Sequence, residues 1–502
     1  MTDDPTNPGG SVSIYLAGGG AFYYGSYYGG YDPSTGQFTA LDIDGSILVL
    51  VAQSPVIYQR RRKDGSIEVY AQSDGSTSYP RNVFLSQLID PQGNALTLGY
   101  DGQERLVSLT DAAGRVTSFA YERIGQPLLV TRITDPFNRS AVLGYDLYGR
   151  LTSITDVLGL TASFSYDANW LVNAMTTPYG TTSFAYTPPG TGLPPRFAQA
   201  TDPLGLSERE EWLEPAPIPD SDPASTVPQG MPPPALGNQY LSYRDSFHWD
   251  KNAYVAAGCT PSGGCDYTKA RDRHFLHVPI QSVKSTAIES VKYPLEHRIW
   301  FSYPNQPYTF FAGNYAQPIA IGRVLDDGST QMSQFAYDTA GYFNLTQASD
   351  PLGRTTSFAY AANHVDLTAI AQTTASGAQT VASFTYNSAH RPLSYTDAAG
   401  QTTSYAYNAA GQLTSVTNPL NQTTSYKYDT WGDLLAVVNA NGKTAAVFSY
   451  DNYDRVATYA DSEGWGVVYS YDAGDRLTEI EYPDGTSDRY TYDKLDLASY
   501  QD

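Results

Sequence analysis

Tyr145-Asp146-Leu147-Tyr148-Gly149-Arg150-Leu151-Thr152-Ser153-Ile154-Thr155-Asp156-Val157-Leu158-Gly159 holds two tight turns and the strand between them. Asp at the first turn position and Gly at the fourth suit a type I turn, because Asp accepts backbone N–H bonds and Gly tolerates the exit geometry. Asp146 to Gly149 and Asp156 to Gly159 both fit, so the stretch reads strand, turn, strand, turn. Its leading tyrosine recurs. Tyr100, Tyr121, Tyr145, Tyr166 and Tyr186 form one series, and Tyr337, Tyr360, Tyr386, Tyr407, Tyr428, Tyr450, Tyr471 and Tyr492 form a second, at intervals of 20 to 26 residues. A fixed period in this range means stacked units that share one continuous core.

The composition agrees. Aromatics are 13% and charged residues only 16% of 502 residues, with abundant Tyr, Thr, Ser, Gly and Asp, which favours strands and turns over helices. In Thr402 to Tyr407, alternation places Thr403, Tyr405 and Tyr407 on one face and Ser404 and Ala406 on the other. Successive units would stack those rings into a ladder. The fold class is therefore all-β, built of stacked hairpins.

Four segments follow. Residues 1–85 are β-like with Asp-Gly-Ser turns at 44–46, 64–66 and 74–76, and read as a cap over the first repeat's open edge. The basic run Arg60-Arg61-Arg62-Lys63 there reads as a charged strand end. Residues 86–205 are the first repeat block. Residues 206–325 break the period: eight prolines fall between Glu214 and Pro234, marking an extended loop, and four of the six histidines and both cysteines lie in this segment. Its stretch Ser282 to Lys292 has few turn signals and leaves room for a short helix. Residues 326–502 resume the repeat and stop in mid-unit at Tyr500-Gln501-Asp502, so a truncation is expected.

Charge and ends exclude several functions. The formal net charge of −21 repels nucleic acid and anionic lipid. No apolar run is long enough for membrane insertion by a helix, and the N-terminus lacks a signal peptide's basic start and apolar stretch. No phosphate loop, dinucleotide fingerprint or Gly-x-Ser-x-Gly lies in a matching context. The regularly placed Asp residues are accounted for by the turns, without calcium or paired catalytic carboxylates.

Cys259, Cys265, His274 and His277 are the single constellation with chemistry in reach. Two thiols and two imidazoles suit tetrahedral zinc, but the five-residue gap departs from the usual cysteine spacing. A local disulfide, free thiols in a surface loop, and a thiol activated by either histidine all stay open. No catalytic, cofactor or metal site is assigned, and no cofactor is expected.

The unit Tyr-Asp-x-x-Gly-Arg-Leu-x-x-Ile/Leu-x-Asp-x-x-Gly resembles the YD repeat of RHS proteins, teneurins and the C components of bacterial Tc toxins. It is nearly complete at Tyr145 to Gly159 and close at Tyr471-Asp472-Ala473-Gly474-Asp475-Arg476-Leu477, where Asp475 replaces Gly; Asn387, Asn408 and Gln412 mark further drift. Tyr293-Pro294-Leu295-Glu296-His297-Arg298-Ile299-Trp300 is similar to a stretch of bacterial RHS chains. The resemblance implies a ribbon spiralling into a hollow or partial shell, a secreted or cell-surface location, and a non-catalytic scaffold. Its implied partner is a polypeptide cargo or downstream domain of the same protein, toxin-like in bacterial members. The self-cleaving core of those members has no counterpart here. Thirteen hairpins give about 26 strands, a ribbon of roughly 125 Å at ~4.8 Å per strand. The competing expectation is a module for cell-surface adhesion or carbohydrate binding, with tyrosines stacking on sugars.

Overall fold

In the computed structural model every residue is described except 17–18, 26–29, 42–43, 188–195, 233–235, 261–263, 278–283, 314–316, 339–342 and 375–376. Among the described residues there are 41 strands, one α-helix (Lys251–Ala256) and two short 3-10 turns. From Tyr31–Asp32 to Asp496–Gln501, 38 strands form one antiparallel meander in which each strand pairs with its sequence neighbours. The two terminal strands each have one neighbour in this meander. The ribbon is open, not a barrel.

The ladder is longer than the motif count implied, because main-chain pairing does not need the motif. Residues 207–324 supply six strands, among them Ser207–Leu213, Asp245–Trp249, Arg271–His277 and Ile299–Ser302. Lys284–Lys292 is a strand, paired to its neighbours on both sides; the helix lies earlier, capped by the Asp250 carboxylate on Ala253 N–H. At ~4.8 Å per strand the ribbon is roughly 180 Å long.

Near the N-terminus, Thr2–Asp3, Val12–Tyr15 and Ala21–Tyr24 form a small separate sheet, joined to the ribbon where Thr2–Asp3 pairs with Arg81–Ile89. Val12, Ile14, Tyr24, Phe38, Leu48, Tyr58 and Val83 make its core. Arg60 is not at a charged surface end. It is buried in this core, 2.5 Å from Asp44 and 3.0 Å from Glu68, with its Nε donating to the Tyr24 hydroxyl.

The repeat unit has a specific internal geometry. The motif tyrosines are half-buried, and the hydroxyls of most of them donate to a carbonyl of the preceding hairpin, usually 15 residues back. Tyr145 reaches Val130 at 2.7 Å, Tyr166 reaches Leu151 at 2.7 Å, Tyr407 reaches Pro392 at 2.8 Å and Tyr471 reaches Val456 at 2.9 Å. In the turn that follows, Asp146 Oδ1 accepts from the N–H groups of Tyr148 and Arg150, and its Oδ2 accepts from Arg150 Nε at 2.6 Å. The Arg150 guanidinium then lies 4.8 Å over the ring of Tyr166, the next unit's tyrosine. The motif is thus a chain of contacts from each hairpin to the next. Tyr407→Phe should cost about 1 kcal/mol, one partly buried hydrogen bond, measured as faster amide exchange in the hairpins on either side.

A β-bulge recurs at the same place. The register shifts just before Tyr100, Tyr145, Tyr166, Tyr337, Tyr407, Tyr428 and Tyr471, among others. A bulge bends its strand and increases local twist. Repeated in most units before the motif tyrosine, on the same edge, such bulges curl the ribbon.

Candidate functional site

In a meander, successive turns alternate between two rims. One rim carries the turns that follow the motif tyrosines, here the YD rim. The other carries turns such as Asp202-Pro203-Leu204-Gly205 and Asp350-Pro351-Leu352-Gly353, here the PL rim. The curl brings the YD rim of the second coil down on the PL rim of the first. Arg115 Nη1 meets Asp454 Oδ2 at 2.9 Å, and Arg139 Nη1 meets Asp475 Oδ1 at 2.6 Å. Phe137 stacks on Tyr453 with centroids 5.7 Å apart. Leu158 packs where a Cβ on Gly474 would stand, and Val365 packs over Gly65. Leu495 N–H donates to the Tyr179 hydroxyl at 2.7 Å. From the turn at 111–115 to that at 451–455 the ribbon runs through 25 strands; from Gly65 to Val365 it runs through 21. The wall is stacked coil on coil.

Two departures from the repeat make the charged clasps. Asp454 and Asp475 occupy the turn position that Gly149 holds, at φ 57° and 63°, a left-handed conformation Asp tolerates better than most residues. Asp475 also pairs with Arg455 of its own coil at 3.0 Å. Replacing both by Gly restores the repeat's turn residue while removing both clasps. For Asp454→Gly/Asp475→Gly we expect local hairpin stability within about 0.5 kcal/mol of the parent, since each pair is partly exposed. The coils should nonetheless part more readily, seen as a larger radius of gyration by small-angle scattering, and the parent should shift the same way at high salt.

Residues 207–324 carry a buried polar core on one face of the ribbon. Here Arg209 and Glu211, Trp249 and Phe247, Asp272 and His274, and Ser290 and Trp300 face the same way across adjacent strands. The Pro-rich loop lies over this face: Asp222 accepts from Arg298 Nε at 2.9 Å, and Pro228 and Met231 pack on Gly322. Pro233 and Pro234 lie outside the described residues. Arg298 also donates to Asp272 at 2.9 Å. A cavity of about 210 Å³ lies beside this pair, lined in part by Ile218, Phe247, Tyr267 and Lys292.

His274 is fully buried. Its Nδ1 lies 2.7 Å from Asp245, and its Nε2 lies 3.0 Å from Arg244 and 3.2 Å from Glu289. A proton on Nδ1 donated to Asp245 would leave Nε2 to accept from Arg244. Burial pushes the Glu289 carboxyl up to about 8, against the opposing pull of Arg244.

The four residues singled out in the sequence are not gathered at one point. Cys259 and Cys265 are joined to each other by a disulfide, packed against the cluster of Phe247, Trp249 and Tyr254. His274 sits in the carboxylate network, and His277 N–H donates to the Phe310 carbonyl on the way to an aromatic loop. Among the described residues no group of three or more His, Cys, Asp or Glu side chains has metal-holding geometry. Asp245, Glu289 and the rim clasps carry no mark in the sequence, whereas Arg298 lies in the stretch Tyr293 to Trp300 noted above, with no role assigned to it. The one available signal was Asp in place of Gly at Asp475.

No helix among the described residues is long and apolar enough to cross a membrane, which says nothing of strands. The RHS Repeat family model matches residues 85–116, 100–140, 145–182, 386–423 and 407–444. No match is found among curated protein sequences. Solved structures similar to the chain include a mutated form of the Photorhabdus luminescens Tc holotoxin pore, at 12% identity and TM-score 0.42 over 90% of this chain and 27% of that one. The TcdB2–TccC3 crystal structure is similar at 13% identity and TM-score 0.42 over 96% and 31%. The chain spans less than a third of the length of either. The repeat model is thus matched in both repeat blocks, and the chain carries RHS repeats in each.

Proposed function

We propose that this chain is a wall-forming, non-catalytic part of a secreted RHS-type protein that encloses or presents a polypeptide. The rim-on-rim contact of successive coils carries this reading, since it turns a ribbon into a continuous surface. A coil of 21 to 25 strands at ~4.8 Å each is roughly 110 Å around and so about 35 Å across. Subtracting half of a ~10 Å sheet spacing on each side leaves an opening of about 25 Å. A folded domain of about 100 residues, with radius of gyration near 13 Å, is wider than that. The polypeptide held inside would therefore be extended. The proposed partner is a cargo or downstream domain of the same protein, or a further component of a toxin-like assembly.

The adhesion reading has less support. It needs presented aromatic faces, whereas the motif tyrosines are half-buried with their hydroxyls engaged by the neighbouring hairpin. To test the proposal, an unstructured polypeptide is joined after Asp502 and exposed to protease. Enclosure predicts at least tenfold slower cleavage than for the same polypeptide alone. Equal rates would remove the wall reading, and glycan-array binding by the same protein would put adhesion in its place.

A further inference from the structure

The coil-to-coil contact uses a residue position that recurs where no coil lies over it. On the PL rim, the third turn residue is Phe137, Leu158 or Tyr179 beneath the second coil, and each touches it. The same position holds Leu204, Leu295, Leu352 and Leu420 further along, and these stand 85%, 96%, 79% and 74% exposed. Each follows a proline, which fixes the turn and holds the leucine at its tip. Single exposed leucines are ordinary. Four at the contact position of an existing interface, all on one rim, are a continuation of that interface.

The complementary half is also free. On the YD rim of the first coil, Leu147, Tyr148 and Trp170 are exposed, with the last two rings 5.5 Å apart. The charges match as well. In the internal clasps the PL rim gives the fifth turn residue, Arg115 or Arg139, and the YD rim gives the fourth, Asp454 or Asp475. The free PL rim carries Arg354 at that fifth position, its side chain 75% exposed. The free YD rim carries Glu104 at that fourth position, with a φ of 61°.

We propose that the free PL rim docks the YD rim of a second copy of this chain, head to tail. The contact repeats between molecules what the two coils make within one. It extends the wall reading given above, but it does not depend on any enclosed polypeptide. Because donor and acceptor rims differ, the association is heterologous and open-ended. The net charge of −21 opposes it at low ionic strength, so association should strengthen at first as salt screens the repulsion.

Sedimentation velocity over a concentration series tests this with the full chain. The parent should associate beyond dimers. Leu204→Glu/Leu295→Glu/Leu352→Glu/Leu420→Glu should be monomeric, and so should Leu147→Glu/Trp170→Glu, with far-UV circular dichroism unchanged because all these side chains are exposed. An equimolar mixture of the two variants should form a 1:1 heterodimer that grows no further, since each keeps one working rim. A parent that stays monomeric throughout would overturn the proposal, as would variants that associate like the parent or a mixture that fails to pair. Loss of the outcome in this test leaves the protease-protection result untouched, so the two readings fail separately.

Discussion

Arg298→Ala should destabilise the region 207–324 by about 3–5 kcal/mol, the usual result of removing one partner from a buried ion pair. Arg298 is 2% exposed and donates to both Asp222 and Asp272. Without it, the Asp272 carboxylate stays buried with no cation at contact distance. Asp222 also anchors the Pro-rich loop, so the loop should lift from the face it covers. A repeat array does not unfold as one unit, and the readout must therefore be local. Fluorescence of Trp249 and Trp300, both fully buried in this region, should change at lower denaturant, with a separate later transition for the repeats. Replacing the whole group, as Arg298→Met/Asp222→Leu/Asp272→Leu, should recover most of the loss, because apolar side chains of similar volume can substitute for a buried ion network. No recovery would mean that the ions do more than satisfy one another.

The second large effect is a pH dependence centred on Glu289. Its carboxyl is pushed by burial from an ordinary value near 4.5 up to about 8. Arg244 and His274 face it at close range, Asp245 lies against the other nitrogen of His274, and Arg298 acts from further away. Between those two values the folded protein keeps the proton and the unfolded chain has lost it. The unfolded state then binds fewer protons, so stability falls as pH rises, by up to about 1.4 kcal/mol per pH unit from this group. The contribution is whole below about 4.5 and gone above about 8. Glu289→Gln keeps the shape without the charge. It should flatten the slope between pH 4.5 and 8 and leave the variant more stable than the parent at pH 8.5, followed through the same tryptophans. A parent without that slope would show that Glu289 is ionised in the fold and stabilised by Arg244.

The contrast between the repeat blocks and residues 207–324 shows what a sequence of this kind exposes. In Tyr145 to Gly159 the motif residues contact their own or adjacent units, so the periodicity states the geometry directly. Arg271-Asp-Arg-His-Phe-Leu-His277 is a strand of the same ribbon, yet it reads as polar and aperiodic. Its Asp272 and His274 pair with Arg298, just ahead of the strand Ile299–Ser302, and with Asp245 on the strand Asp245–Trp249. Its flanking connections, at 250–270 and 278–283, give no hairpin signature. Likewise the possible metal set of Cys259, Cys265, His274 and His277 was suggested by proximity along the chain. Cys259 and Cys265 close on one another, while the strand carries the histidines into different surroundings. The rim clasps join residues more than 300 positions apart, beyond any local pattern.

The bulge that precedes so many motif tyrosines has a last consequence. If each unit turns the ribbon by a fixed increment, the number of units sets the thread of a screw, and the clasp partners must come round in phase. Arg115 finds Asp454, and Arg139 finds Asp475, because the ribbon between each pair holds the same 25 strands. Inserting residues at a loop tip leaves that count intact, whereas deleting a single hairpin would put every rim partner out of step at once. The chain can vary freely in the length of its connections, but it gauges its own circumference by counting tyrosines.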